Sequence, residues 1–355
     1  MTMLDEFYKG KKVLITGHTG FKGSYLCRML QILGSDVYGY ALNPPTDPSL
    51  FELLELDKSI SSEVGDIRDF DHLESFYSSV KPDIVIHMAA QPLVRDGYRE
   101  PRLTFETNIM GTVNLLECSR KYGAKSFLNV TTDKVYLNDG SGRLYAETDY
   151  LNGSDPYSNS KSCSDIITES YAKSFDMGFP VSTARAGNVI GGGDFSSDRI
   201  IPDCVRAFTG NNKITLRSPD SIRPYQHVFE ALYAYLTIAK KQVEDSSLAG
   251  SYNVGPDEKD MATTMSLVQM FGHHWGRDLE ISLTDNGGMK EAAVLRLDNS
   301  KLKTMMSLSP MWGIDEAISK TVEWTKVWTS KEDIIDVTDR QIIDYLDQRE
   351  KTKHL

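Results

Sequence analysis

The chain has 355 residues, 40% hydrophobic and 25% charged, enough for one large globular domain or two modest ones with a substantial core. Its formal net charge of −11 argues against a nucleic-acid partner, while leaving room for a local basic pocket that takes a phosphate. No stretch approaches the roughly 20 apolar residues of a membrane-spanning helix, and Cys27, Cys118, Cys163 and Cys204 lie far apart, with neither a CxxC pair nor zinc-site spacing. The opening MTMLDEFYKGKKVLITG lacks the basic start and long apolar region of a signal peptide. The expectation is a cytoplasmic protein with reduced, mostly buried thiols, no metal and no membrane partner.

In chain order, KKVLITG reads as a buried strand, FKGSYLCRMLQILG as the helix after it and DVYGYAL as a second strand. Asp69 or Asp71 caps a helix over DFDHLESFYSSV, and DIVIHMAA is a third clear strand. A long helix then covers LTFETNIMGTVNLLECSRKYG and ends at Gly123. SFLNVTT is another strand, DPYSNSKSCSDIITESYAKSF another helix, and VSTARAGNVIG a further strand. This alternation predicts right-handed βαβ units, hence an α/β fold with a Rossmann-like, doubly wound parallel sheet. After GGGD at 191–194 the pattern loosens into short elements and loops. Amphipathic helices over DEAISKTVEWTKVW and KEDIIDVTDRQIIDYLDQ close the chain. The organisation expected is a dinucleotide-binding domain over 1–190, to which residues of about 224–252 return, and a smaller mixed substrate domain over 191–355.

TGHTGFKG places Gly17, Gly20 and Gly23 three apart, between the first strand and the first helix. One glycine permits the tight turn, one lets backbone approach a pyrophosphate, and one lets the helix pack on the sheet. The helix N-terminus then presents free amides and a positive dipole end to the phosphates. Glycines suit any tight turn, but their place here points to a dinucleotide. His18, Phe21 and Lys22 lie within the turn, where His18 and Lys22 add positive potential unless they are simply solvated. Near the end of the second strand the candidate for a ribose hydroxyl is Asn43, and no Arg or Lys lies between Asp36 and Asp57 to attract a 2′-phosphate. That favours NAD. Asp66 and Ile67 follow a short strand at a place to hold the adenine. Ala89, Ala90 and Gln91 end another strand, where small residues let a cofactor lie against the backbone.

VTTDKVY at 130–136 ends a strand in Thr132, Asp133 and Lys134, an acid and an amine side by side. YSNSK puts Tyr157 and Lys161 four apart, on one helix face. A cationic lysine near a phenol favours the phenolate. Such a tyrosine takes a proton from an alcohol while a nicotinamide takes the hydride. YxxxK is common by chance; after a glycine turn and a strand ending in TTD it points to oxidoreduction.

TGHTGFKG, AAQ, TTDKVY and YSNSK, in that order, resemble the extended short-chain dehydrogenase/reductase family, in its nucleotide-sugar dehydratase branch. The similarity continues through NPPTDPSLFELL, RAGNVIGGGDF, DRIIPD, IRPYQHV and YNVGP, over most of the chain. The resemblance implies NAD-dependent 4,6-dehydration of a nucleotide sugar: oxidation at carbon 4, loss of water across carbons 5 and 6, and hydride return to carbon 6. Related dehydratases carry Asp–Glu after the threonine, where this chain has Asp133–Lys134, a departure that resembles the subgroup acting on cytidine diphosphate glucose. Carried over by position, Thr132 and Tyr157 work at the 4-hydroxyl with Lys161 behind them, Asp133 is the acid and Lys134 the base. An unperturbed lysine, with a pKa of about 10.4, is almost wholly protonated at neutral pH. Lys134 is therefore either an amine neutralised by burial and nearby cations or a charged stabiliser of the enolate. Arg223 has the forked guanidinium that suits a pyrophosphate. By resemblance Asn188, Arg199 and Asn253 also lie near the substrate, and His227 is a further candidate. The family also implies a homodimer built on helices of the first domain. The alternatives are a 4-epimerase, a dehydratase for another nucleotide, or a dinucleotide-sensing regulator on the same fold. An epimerase has no use for the acid–amine pair, nor a sensor for Thr132, Asp133, Tyr157 and Lys161 together.

Overall fold

A computed structural model describes residues 3–210, 212–284 and 294–352. The first six strands are β1 (Lys12–Thr16), β2 (Asp36–Ala41), β3 (Ser61–Val64), β4 (Ile84–His87), β5 (Ser126–Thr132) and β6 (Val181–Ala186). The short β7 (Val189–Ile190), β8 (Lys213–Leu216), β9 (Ile222–Arg223) and β10 (Gln226–His227) follow, then β11 (Ser251–Val254), β12 (Ala262–Thr263) and β13 (Glu280–Leu283). The helices are α1 (Met3–Tyr8), α2 (Phe21–Ile32), α3 (Leu50–Leu53), α4 (Phe70–Val80), α5 (Val94–Arg99), α6 (Pro101–Phe105), α7 (Gly111–Tyr122) and α8 (Pro156–Ser174). Beyond β7 come α9 (Ile200–Thr209), α10 (Val228–Glu244), α11 (Thr264–Trp275), α12 (Ser300–Met306), α13 (Ile314–Thr329) and α14 (Ile334–Thr352).

One seven-stranded sheet runs in the order β11-β6-β5-β4-β1-β2-β3, every pair parallel. Its central strands β4 and β5 are buried along their whole length, as a parallel sheet covered on both faces requires. Alternate residues feed opposite layers. Val13, Ile15, Ile84 and Ile86 join a core with Tyr25, Phe229 and Tyr345, while Leu14, Val85 and Phe127 join Leu73, Tyr77, Leu115 and Leu116 on the other side. The chain leaves this sheet after β6 and returns to it, with α10 lying on β5 and β6 and β11 pairing with β6. A second core gathers α9, α11 and α13 beside the pairs β8–β13 and β9–β12.

Local signals explain the element ends. Of the two cap candidates it is Asp69 that starts α4, its Oδ1 accepting His72 N–H at 3.1 Å. Gly123, with φ 82, closes α7. The long helix expected after β4 is interrupted by a π turn over Glu106–Met110. There Asn108 is buried, bonding the Gln91 amide and carbonyl and Ser160 Oγ, and the wider turn accommodates that inward side chain. Among the described residues no helix is long and apolar enough to cross a membrane, and no group of His, Cys, Asp or Glu could hold a metal ion.

Candidate active site

A cleft opens at the carboxyl edge of the sheet, where β1, β4 and β5 end, with the smaller lobe as its other wall. β1 runs into Gly17, whose φ of 78 suits glycine. A Cβ on Gly17 would stand 2.8 Å from Ala89 N, and one on Gly23 2.2 Å from Gly17 O, so both positions must be bare. Gly20 is the N-cap of α2 and offers no side chain to its first amides, which leaves them for an anion. Thr16 Oγ1 accepts the Met88 and Ala89 amides at 3.1 and 3.2 Å and so must donate to His87 Nδ1, 2.7 Å away. That fixes the strand ends around Ala89 and Ala90. This cradle fits a dinucleotide pyrophosphate.

The other residues of the turn divide. Lys22 lines the cleft with Thr132, Asp133, Tyr157 and Arg199; burial, then the Arg199 charge, push its pKa down to about 8. His18 corrects the expectation of positive potential. It is buried beneath the turn, edge-on to Phe51, with Nε2 2.7 Å from Ser62 Oγ. Burial pulls its pKa down to about 4, so the ring is neutral at physiological pH and packs rather than attracts. Phe21 meets Tyr25 edge-on at 5.5 Å and approaches Gly191, tying the turn to the 191–194 loop. Asn43 is exposed just past β2. Beyond β3, Asp66 is held by Arg68, whose hydrogen bonds keep its carboxyl below the usual range, and Ile67 is buried against Gly111. The Gln91 side chain ties its loop to α6, donating to Thr104 Oγ1 and accepting Leu93 N–H.

β5 ends in Thr131 and Thr132 and passes directly into a 3-10 turn over Asp133–Val135. Thr132 Oγ1 donates to Asp133 Oδ1 at 2.9 Å and accepts Lys134 N–H at 3.4 Å. Asp133 is 1% exposed, and its Oδ2 has no partner. Lys134 Nζ lies 3.4 Å from Asp133 Oδ1 and 3.4 Å from Asn188 Oδ1, so the substrate candidate Asn188 orients this lysine. α8 begins at Asp155, whose Oδ1 accepts Ser158 N–H at 3.0 Å, with Pro156 at its first position. Tyr157 therefore enters the cleft from the first turn. Burial pushes its phenol up to about 12, opposed first by its hydrogen bond with Thr132.

Lys161 lies one turn along α8 from Tyr157 and is buried. Lys161 Nζ donates to the Val130 carbonyl at 2.8 Å, and burial followed by the Lys22 charge lowers its pKa to about 7. Beneath these groups Asp165 makes a two-pronged ion pair with Arg185, at 2.8 and 2.9 Å, and accepts Thr131 Oγ1 at 3.0 Å. Arg185 also donates to Tyr136 OH at 3.0 Å, and that hydroxyl donates to Asn253 Oδ1 at 2.6 Å. Both ends of the Asp133–Val135 turn are thereby tied to α8, β6 and β11.

On the substrate side, Arg223 is buried and lines the cleft, and Arg199 lines it while paired with Asp194 at 3.0 Å. Asn253 is corrected: it is wholly buried in β11, its amide donating to the Tyr145 and Asp298 carbonyls, and it does not line the cleft. His227 is likewise buried, accepting Phe229 N–H at the start of α10. Sequence reasoning missed Arg95, Asp194, Asp198 and Arg217, all of which line the cleft. Asp194 and Asp198 stand within RAGNVIGGGDF and DRIIPD, and Arg95 lies four residues past AAQ, whereas Arg217 carries no signal.

A glycine turn and a Thr–Tyr–Lys set at the carboxyl edge of a Rossmann-like sheet define a dinucleotide-dependent oxidoreductase site. The model of the NAD dependent epimerase/dehydratase family matches residues 13–255, and the chain belongs to that family. It is 42% identical over 354 residues to the CDP-glucose 4,6-dehydratase of Salmonella typhimurium, covering 97% of this chain and 99% of that protein. The dTDP-glucose 4,6-dehydratase of Xanthomonas campestris pv. campestris is 27% identical over 335 residues, covering 88% and 92%. Among solved structures, the UDP-glucose 4-epimerase of Thermus thermophilus in complex with NAD superposes with a TM-score of 0.77 at 25% identity, over 89% of this chain and 99% of that one. The dTDP-glucose 4,6-dehydratase of Bacillus anthracis str. Ames in complex with NAD gives 0.76 at 22% identity, over 89% and 97%.

Proposed function

We propose that the chain is a CDP-glucose 4,6-dehydratase using NAD, which converts CDP-glucose to CDP-4-keto-6-deoxyglucose. The observation that carries the chemistry is Asp133: a buried carboxyl at a strand end, one oxygen held by Thr132 and Lys134 and the other without a partner. The choice of nucleotide rests on the near full-length likeness to the Salmonella enzyme.

The residues divide the work as follows. Tyr157 takes the proton of the sugar's 4-hydroxyl as the phenolate, a form the Arg199 charge favours and the positive nicotinamide of bound NAD would favour further, and Thr132 lines the cleft beside it. Bound NAD supplies the electron sink that accepts hydride from carbon 4 and gives it back at carbon 6. The 4-ketone acidifies the hydrogen on carbon 5. Lys134 removes it, and Asp133 delivers a proton through Oδ2 to the departing 6-hydroxyl. The two changes balance, since a neutral amine beside a protonated acid becomes an ammonium beside a carboxylate. Arg199 and Arg223 serve the substrate's phosphates, whose oxygens accept the planar guanidinium fork in a two-pronged fashion. The cradle of Gly17, Gly20 and Gly23, with Ala89 and Ala90, holds the cofactor; Asn43, Asp66 and Ile67 flank its adenosine end. A homodimer through the helices of the sheet lobe is supported by exposed Leu103, Met110 and Ile166 on neighbouring helical segments, and light scattering after gel filtration tests it.

Mass spectrometry tests the function: the chain is incubated with NAD in deuterated water with CDP-, dTDP-, GDP- or UDP-glucose. Loss of one water from the CDP sugar alone, with deuterium at carbon 5, is expected. Loss from another nucleotide keeps the elimination and removes the substrate assignment, and an isomerised sugar makes the chain an epimerase.

A further inference from the structure

Two arginines reach the cleft from opposite walls. Arg95 stands in α5 on the sheet lobe, and Arg217 directly follows β8 on the smaller lobe. Asp198, in the loop between β7 and α9, holds both. Its Oδ1 lies 3.0 Å from Arg95 Nη1 and 2.9 Å from Arg217 Nη2. The backbone of Asp198 is left-handed, with φ 57, a conformation for which Asp and Asn are favoured among non-glycine residues. The same loop supplies Asp194 to Arg199, so it presents two carboxylates to the cleft's guanidiniums.

We infer that Asp198 is an internal stand-in for a phosphate of the incoming nucleotide, spanning Arg95 and Arg217 until a diphosphate takes them over. The inference rests on the nucleotide-sugar reading above. One carboxylate oxygen shared by two guanidiniums leaves most of their donors uncommitted, since each carries five N–H groups. A diphosphate brings more oxygens and more charge, and phosphate accepts arginine in a two-pronged fashion. The exchange breaks two ion pairs whose side chains are 26–34% exposed. Pairs of that kind shift an equilibrium by only a few-fold each. Asp198 therefore tunes affinity downward and lets the nucleotide product leave. It is a positioning residue, acting on the substrate through the two arginines.

The test is titration calorimetry of the full chain with CDP, with inorganic pyrophosphate and with cytidine, in wild type and Asp198→Asn. Asn removes the charge and keeps both the size and the left-handed backbone, so folding is preserved, and a thermal melt checks it. CDP and pyrophosphate should bind about 3- to 10-fold tighter to the variant, cytidine equally to both, and KM should fall by the same factor as the CDP dissociation constant. In an Arg95→Gln, Arg217→Gln background the effect of D198N should vanish. Unchanged or weakened binding of CDP and pyrophosphate overturns the proposal, as does equal tightening of cytidine, or pyrophosphate binding to neither protein. Pyrophosphate has no base, so a preference for a nucleotide other than CDP would sink the substrate assignment while the Asp198 effect stayed readable.

Discussion

Asp133 and Lys134 are neighbours in sequence and 3.4 Å apart through one oxygen, and the base and charge readings of Lys134 ask different things of its amine. That makes the two roles of Lys134 separable by substitution. Arginine keeps the charge and is effectively always protonated. Lys134→Arg should retain binding and oxidation at carbon 4 but lose carbon-5 deuterium exchange by about 100-fold or more, the scale of a general base; exchange near the wild-type rate would make Lys134 a charge stabiliser. A second residue-scale prediction concerns Gly23, where a Cβ would meet Gly17 O at 2.2 Å. Gly23→Ala should abolish NAD binding in a fluorescence titration. The glycines were legible at this scale, because tight backbone approach demands them, whereas roles for Thr132, Asp133 and Lys134 came only through resemblance. His18 was misread for a physical reason: a histidine's charge depends on burial, and the Phe51 and Ser62 that enclose it come from elsewhere in the chain.

Elements set the geometry at the end of β5 through one buried ion pair. Asp165 on α8 and Arg185 on β6 are 0% and 3% exposed, and their partners belong to β5 and the turn after it. Breaking a buried pair strands a charge and costs roughly 3–5 kcal/mol. Asp165→Ala should lose about that much stability in urea denaturation. The strands and long helices could be read from periodicity, and the Asp155–Pro156 start of α8 from its cap chemistry. The π turn at Glu106–Met110 could not, because it answers to Asn108 reaching Gln91 and Ser160, contacts that exist only once the fold has formed. Asn253 was placed in the substrate site by its motif, whereas hydrogen bonds to Tyr136, Tyr145 and Asp298 turn it into the core.

For the whole molecule, the parallel sheet was foreseeable from its alternating elements; the Arg95–Asp198–Arg217 bridge, joining three distant segments, was not. The fold also buries three neutral histidines, His18, His87 and His227, whose pKa values fall to about 4, 3 and 3, burial being the main cause. Unfolded histidine titrates near 6.5, so between there and the folded values the unfolded chain binds more protons. Stability from these groups is complete above about pH 6.5 and is lost as pH falls towards 4, by about 1.4 kcal/mol per pH unit for each. Denaturation midpoints from pH 7 to 5 should show that slope, and His87→Gln should flatten it by one histidine's share.

The return of β11 to the sheet has a consequence for the growing chain on the ribosome. β6 ends at residue 186 and its outer partner begins at residue 251, a delay of roughly 3–13 s at about 5–20 residues per second. Throughout that interval a nascent chain holding the glycine turn and the Thr–Asp–Lys turn has an open strand edge at β6, the kind of edge that templates aggregation. Tyr136 and Arg185 are joined to Asn253 only when that edge closes. The Asp133–Val135 turn is among the early parts of the protein to be made and among the later ones to be set.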